Sequence, residues 1–217
     1  MSGRRLLASL IALLPFNPLR VALYRHLLGY RIGRGTRIAA FTLIDCQRVA
    51  LGEHCRVGPL NFISVGAFEM GNNAKILSFN FFGRGLAEGE RYQGTFSLGD
   101  RGAIHWLHFF DVRYDIRVGS DGIIAGKSAC FWTHSGGRLR RGPITIGDRC
   151  YIGSHALFAP GTLVADDCTV AMGSMVAARF EQPHCLIAGN PATVRRTDYH
   201  WLPTGPSTQV SAAPRPD

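Results

Sequence analysis

The residues of this chain best suited to moving protons are its eight histidines, and few of them have neighbours that suggest a task. His134 follows Thr133 and opens a basic, glycine-rich run, Ser135-Gly136-Gly137-Arg138-Leu139-Arg140-Arg141. His105 and His108 stand close together, with Asp111 soon after. Imidazole exchanges a proton near neutral pH, and a carboxylate held against it can fix its orientation. His155 sits in Gly153-Ser154-His155, where a structural role and a ligand-binding role are equally open, while His26, His54, His184 and His200 have no supporting context. The six cysteines, at positions 46, 55, 130, 150, 168 and 185, form no CxxC pair. They read as buried, reduced thiols of a cytoplasmic protein, and no metal site is expected from their spacing.

The elements that must position these groups show in a six-residue period. Apolar residues recur at Ile32, Ile38, Ile44, then Leu51, Val57, Ile63, then Met70, Ile76, Phe82. After an interruption the series resumes at Leu98, Ile104, Phe110 and at Val118, Ile124, Cys130. A second interruption precedes the unbroken run Ile146, Ile152, Phe158, Val164, Val170, Val176. Glycine often follows the apolar position, and small residues such as Thr36, Thr42, Cys55, Ala74, Cys150, Ala156, Cys168 and Ser174 lie four steps beyond it. A period of six fits neither an α-helix nor an amphipathic strand. It fits a triangular coil, three short strands per turn, whose units bury their apolar faces only by stacking. The spacing predicts about seven coils, starting at 32, 51, 70, 98, 118, 146 and 164, with loops extruded at 83–97 and 135–145. His134 and His108 both fall four steps into their repeats, at a corner. A bulky polar residue there is awkward inside the prism, so His134 is expected to point outward beside its loop. By position alone it also fits an ordinary surface-loop histidine, and packing is the default reading of His105.

Composition sets the frame. The 217 residues are 46% hydrophobic and 18% charged, which excludes wholesale disorder and suits one domain with short extensions. The net charge of +9 is concentrated at one end: seven arginines, from Arg4 to Arg37, precede the first acidic residue, Asp45. A charge so placed does not signal nucleic-acid binding. Residues 1–30 read as two short amphipathic helices broken at Pro15-Phe16-Asn17-Pro18, too short to span a bilayer. Residues 1–29 suit either peripheral contact with an anionic membrane or a cap over the open end of the repeats, and the two roles are compatible. The repeats occupy 31–182, a C-terminal cap 183–202, and a polar, proline-rich tail 203–217 is expected to be disordered. The aromatic residues between 51 and 117, Phe62, Phe68, Phe79, Phe81, Phe82, Trp106, Phe109 and Phe110, are read as core filling, with sugar stacking as the sharper alternative.

The C-terminal third resembles a known family. Thr133-His134 before a loop, Pro143-Ile144-Thr145-Ile146-Gly147-Asp148, Tyr151-Ile152-Gly153-Ser154-His155, Pro160-Gly161, Gly173-Ser174 and Gly189-Asn190-Pro191-Ala192 with Arg195 occur in order. Together they resemble the galactoside and maltose branch of the hexapeptide-repeat O-acetyltransferases and its relatives in capsule and exopolysaccharide synthesis. The resemblance implies an all-β fold, a left-handed parallel β-helix with a short helical N-terminal segment. It implies acetyl-CoA as co-substrate, a saccharide acceptor that is free, lipid-linked or nucleotide-linked, and a homotrimer with one site at each subunit boundary. It further implies that His134 is the general base, with His108 and Asp111 as candidate supports. The donor would lie along Ser154, Ala159, Gly173, Ser174 and Ala177, with Arg179 and Arg195 toward its phosphates. Ala178 and Tyr151 depart from the family, which often has lysine and tryptophan there. The implied setting is the cytoplasm or the inner face of its membrane.

Three rivals remain open from the sequence. An acyl-carrier protein could replace CoA as donor, the basic surface suiting an acidic carrier. A zinc enzyme on this fold, such as a γ-type carbonic anhydrase, would need three converging histidines, which His105, His108 and His134 do not clearly supply. A non-catalytic scaffold would use the prism for assembly alone.

Overall fold

The structure is a computed structural model that describes residues 3–83, 94–135 and 140–201. Its body is a three-sided parallel β-helix in which strands of two to five residues pair in register with those one coil away. Face A runs from Arg31–Ile32 to Arg179–Phe180, face B from Arg37–Ile38 to Leu186–Gly189, and face C from Leu43–Ile44 to Met175–Val176. The apolar residues of the six-residue series point inward, except at Cys130. One extra residue in that coil turns Cys130 outward, only half-buried in register with Phe109, and puts Phe131 in the core. Ile38, Ile44, Ile63, Ile104, Phe110, Ile152 and Val170 are fully enclosed, and the seven residues proposed to start coils each lie on face A and are buried. An eighth, incomplete turn adds Phe180 and Ile187 to the core.

Each corner has its own column. Between faces A and B stand Thr36, Cys55, Ala74, Cys150, Cys168 and Cys185, all buried, which places four of the six cysteines at a corner with little room. Burial pushes the Cys150 thiol up to about 12, so it is neither an acid nor a nucleophile near neutral pH. Between faces B and C runs a hydrogen-bonded ladder of Thr42, Asn61, Asn80 and His108. Inside face C the rings of Phe82, Phe110, Phe131 and Phe158 stack at 4.5–4.7 Å. Of the aromatics in coils 51–117, Phe68, Phe82 and Phe110 fill the core. Phe62, Phe81 and Phe109 stack on the outside of face C, and Phe79 and Trp106 are exposed.

The first coil has no neighbour on one side, so its ladder groups need other partners. The N-terminal helices supply them. Helix α1, Gly3–Leu13, and helix α2, Asn17–Leu28, pack on each other and on the first coil. Ile38 N–H donates to Asn17 Oδ1, Phe41 N–H to the Ala12 carbonyl and Cys46 N–H to Tyr30 Oη. Buried Arg20 donates to the carbonyls of Leu14 and Ile38. Helix α2 starts with proline in its first turn and stops at Gly29, whose φ of 68° suits glycine. Among the described residues no helix is long and apolar enough to cross a membrane. At the other end, Ala192–Arg196 folds back antiparallel on Leu186–Gly189 and covers the last edge of face B. The predicted tail at 203–217 and the central parts of both predicted loops lie outside the described residues. The loops are nonetheless shorter than their predicted bounds, since Gly83, residues 95–97, Ile144 and Thr145 pair as strands. The repeats also run past 182, because Leu186–Gly189 continues face B.

Candidate active site

Face C ends at the C–A corner, and there the outward position one step past the core residue changes character along the axis. It is Asp111, Trp132, Ala159 and Ala177 in four successive coils. Large side chains are followed by small ones, so a groove opens over the last two coils. The groove has a volume of about 650 Å³ and is lined by Trp132, His134, Arg140, Leu157, Ala159 and Met175, among others. The lining is largely apolar, with His134 at its mouth.

His134 is held from two sides. Its backbone pairs with Arg141, and Gly142 N–H donates to the Thr133 carbonyl, so the predicted loop leaves from a short antiparallel stem. Its Nδ1 lies 2.5 Å from Oδ2 of Asp111, a carboxylate with no solvent exposure. Asp111 also accepts from the Thr133 backbone N–H and hydroxyl, at 3.2 and 3.1 Å. A carboxylate can only accept here, so Nδ1 carries the proton and Nε2 is left with its lone pair free. The His134 side chain is one-quarter exposed, on the outer surface of the prism as its corner position requires.

The other predicted site residues fall into two groups. Ala159 and Ala177 line the groove beside His134. Ser154, Gly173 and Ser174 lie on the B–C corner, across the width of face C. The chain from Ser154 to Ala159 turns at Ser154-His155 and then crosses face C on Leu157–Phe158, a path of at most roughly 16 Å at strand rise. Among the described residues the Ser154 N–H meets no acceptor, whereas the N–H groups of Ala159 and Gly173 are spent on the Val176 and Ser154 carbonyls. Arg179 is exposed on face A and pairs with Glu181 at 3.2 Å, and Arg195 projects from the terminal hairpin with Nε on the Ala188 carbonyl.

His108 does not join His134. It is buried at the B–C corner, where its N–H bonds Asn80 Oδ1 and its Nδ1 accepts from Ala129 N–H. Burial pushes its pKa down to about 4, with His105 adding to the effect. It is the last polar rung of the Thr42-Asn61-Asn80 ladder, so its position four steps into the repeat has a structural cause. His105 accepts from Gly126 N–H, also on the B side. The three histidines of the zinc reading therefore do not face one another, and among the described residues no three His, Cys, Asp or Glu side chains cluster as a metal site. Sequence reasoning missed Trp132, Leu157 and Met175, and reached Arg140 only as one of the cations of the basic loop 135–141. Arg140 donates to the Ala177 carbonyl across the groove at 3.3 Å. The signal available for Leu157 and Met175 was an apolar residue at an outward position of the repeat.

Residues 143–178 match the model of the hexapeptide repeat of succinyl-transferase. The fold is thus a left-handed parallel β-helix of hexapeptide repeats, the hand being that of the solved structures it resembles. Over 91 residues the chain is 30% identical to the galactoside O-acetyltransferase of Escherichia coli K12, covering 38% of this chain and 44% of that one. The chain thus spans less than half the length of this relative. A UDP-N-acetylglucosamine acyltransferase from Campylobacter jejuni superposes with a TM-score of 0.57 at 21% identity, over 78% of this chain and 71% of that one. A hexapeptide-repeat-containing acetyltransferase from Vibrio cholerae O1 biovar eltor, solved with acetyl coenzyme A, superposes with a TM-score of 0.50 at 20% identity, over 90% and 87%.

Proposed function

We propose that the chain is an O-acetyltransferase that moves acetyl from acetyl-CoA to a saccharide hydroxyl, with His134 as general base. The observation that carries this reading is the His134–Asp111 pair at the mouth of an apolar groove. The galactoside O-acetyltransferase relative supports the reaction and the saccharide acceptor. The Vibrio cholerae complex supports the donor. The residues present fit a thioester arm: Ala159 and Ala177 leave the groove open, and Arg140 stands at its rim with a cationic head.

In this mechanism Nε2 of His134 takes the acceptor hydroxyl proton as the oxygen attacks the thioester carbonyl. Asp111 holds the ring and offsets the charge of the imidazolium that forms. The oxyanion is met by a backbone N–H, for which Ser154 is the free candidate. His134 then returns its proton to the departing thiolate. Ser154 and His134 of one chain stand on different corners of the prism, with face C between them. The site is therefore completed by a second copy, and the assembly is a homotrimer with a site at each boundary, working in the cytoplasm or on its membrane face.

The test is CoA release from acetyl-CoA against a panel of sugars, nucleotide sugars and lipid-linked saccharides, comparing the wild type with His134→Ala. Acceptor-dependent release that falls about a hundredfold in the variant is expected. Equal release in both places the base elsewhere. Turnover with an acyl-carrier protein and none with acetyl-CoA would move the reading to the carrier-dependent class.

A further inference from the structure

The B–C corner carries a feature that the proposed chemistry does not use. In four successive coils its exposed residue is Phe41, Leu60, Phe79 and Leu107, at 59, 49, 53 and 51% exposure. All four sit at positive φ, between 58° and 64°, a conformation where bulky side chains are uncommon. The same corner carries Ser128, His155 and Gly173 in later coils, so the apolar ridge belongs to the N-terminal half alone. It continues into the cap. The Phe41 N–H bonds the Ala12 carbonyl, beside exposed Leu13 and the exposed linker residue Phe16. Trp106, next to Leu107, is exposed as well.

The flank of this ridge on face B is cationic. Arg37, Arg56 and Lys75 stand four residues before Phe41, Leu60 and Phe79 and stack in register on successive strands. All three are exposed, and among the described residues none has an acidic partner. Like charges in register repel, so this column is at its best opposite an anionic surface. Six acidic residues of the coils, Glu53, Asp100, Asp121, Asp148, Asp166 and Asp167, gather on the A–B corner, where Arg101 and Arg149 are paired. Glu69 on face A and Asp45, Asp111 and Asp115 at the C–A corner also lie away from the ridge. A line of Phe and Leu beside a line of Arg and Lys is the composition of an interfacial membrane contact.

We infer that the B–C corner of coils one to four, together with the α1–α2 linker, docks on an anionic phospholipid surface. Phe16, Phe41, Leu60 and Phe79 enter the acyl boundary, while Arg37, Arg56 and Lys75 lie against the headgroups. The contact thus belongs to the β-helix as well as to the helices. Because the ridge ends at Leu107, in coils that precede those of His134 and Ser154, the groove stays clear of this contact. The inference does not rest on the acyl-transfer reading, since docking needs no turnover.

Co-sedimentation of the full chain with vesicles of phosphatidylcholine, with and without about one-third phosphatidylglycerol, tests it. Binding to the anionic vesicles alone is expected. Each basic residue at such a surface contributes about a fivefold gain in partition, so replacing Arg37, Arg56 and Lys75 by glutamine lowers it about a hundredfold. The variant Phe41→Ser/Leu60→Ser/Phe79→Ser lowers it at least tenfold with unchanged mass by light scattering. Should that variant fail to fold, the glutamine variant, altered only on an exposed face, decides alone. Absence of binding by the full chain overturns the inference. Binding unaffected by the glutamine variant does so too, as does a change of oligomeric mass in the serine variant, which would make the ridge a contact between copies.

Discussion

At the residue scale, the decisive feature is how one imidazole is oriented. His134 could have been read from the sequence as a candidate because it breaks the small-residue rule at a corner and stands where a loop departs. Its partner was less legible. Asp111 is 23 positions earlier, and only the stacking of coils brings its carboxylate to 2.5 Å. The same stacking separates His108, which by spacing looked the equal of His134, because the B–C and C–A corners alternate along the chain. Replacing Asp111 by asparagine tests the orienting role. The amide oxygen can still accept from Thr133, so the corner should fold, but the amide NH2 would donate to Nδ1 and leave the proton on Nε2, the atom that must accept. Steady-state kinetics should then show kcat down by roughly a hundredfold with KM for acetyl-CoA nearly unchanged. A loss confined to KM would make Asp111 part of the donor site instead.

At the element scale, the six-residue period specified most of the fold because it sets which residue of each strand faces the core, and a one-residue slip would expose the whole series. Where the period broke, at 83–97 and 135–145, the sequence could place a loop without giving its path. The helices were legible as helices, but their task was not, since it depends on unpaired groups of the first coil such as Ile38 N–H and Phe41 N–H. Two consequences of the stacked columns can be measured. Phe110 contacts Phe82 and Phe131 in the enclosed aromatic stack, so Phe110→Ala should cost about 3–5 kcal/mol in a denaturant titration, far more than a surface substitution. The polar ladder gives an acid limb. In the folded chain His108 is pushed down to about 4, against about 6.5 unfolded, so below pH 6.5 the unfolded chain takes up a proton that the folded one refuses. Stability therefore falls as pH drops from about 6.5 to 4, by an amount on the order of 3 kcal/mol, and levels off below. Asparagine, already present at the two preceding rungs, should fill the position without titrating. Melting curves of His108→Asn should show a shallower loss between pH 6.5 and 4, and an unchanged slope would assign the acid limb to other groups.

At the scale of the whole molecule, the two halves of the proposed site lie on different corners of the prism. His134, Ala159 and Ala177 share the C–A corner, and Ser154, with its unspent N–H, is on the B–C corner. A cyclic trimer has heterologous boundaries, each apposing one surface of a subunit to a different surface of the next. That is the arrangement by which one copy's His134 and the next copy's Ser154 could meet at a single thioester. The proposal makes a quantitative claim about mixtures. His134→Ala removes the base, and Ser154→Pro removes the N–H, so each homogeneous protein should be nearly inactive. If the two are unfolded together in equal amounts and refolded, chains pair at random. A boundary is intact when its histidine comes from the proline variant and its residue 154 from the alanine variant. That happens at about one boundary in four, so roughly a quarter of wild-type CoA release should return. Homogeneous controls refolded in the same way should stay inactive. No recovery in a mixture whose mass by light scattering is that of a trimer would mean that each site is built within one chain, and the oxyanion contact would have to be sought on the C–A corner itself.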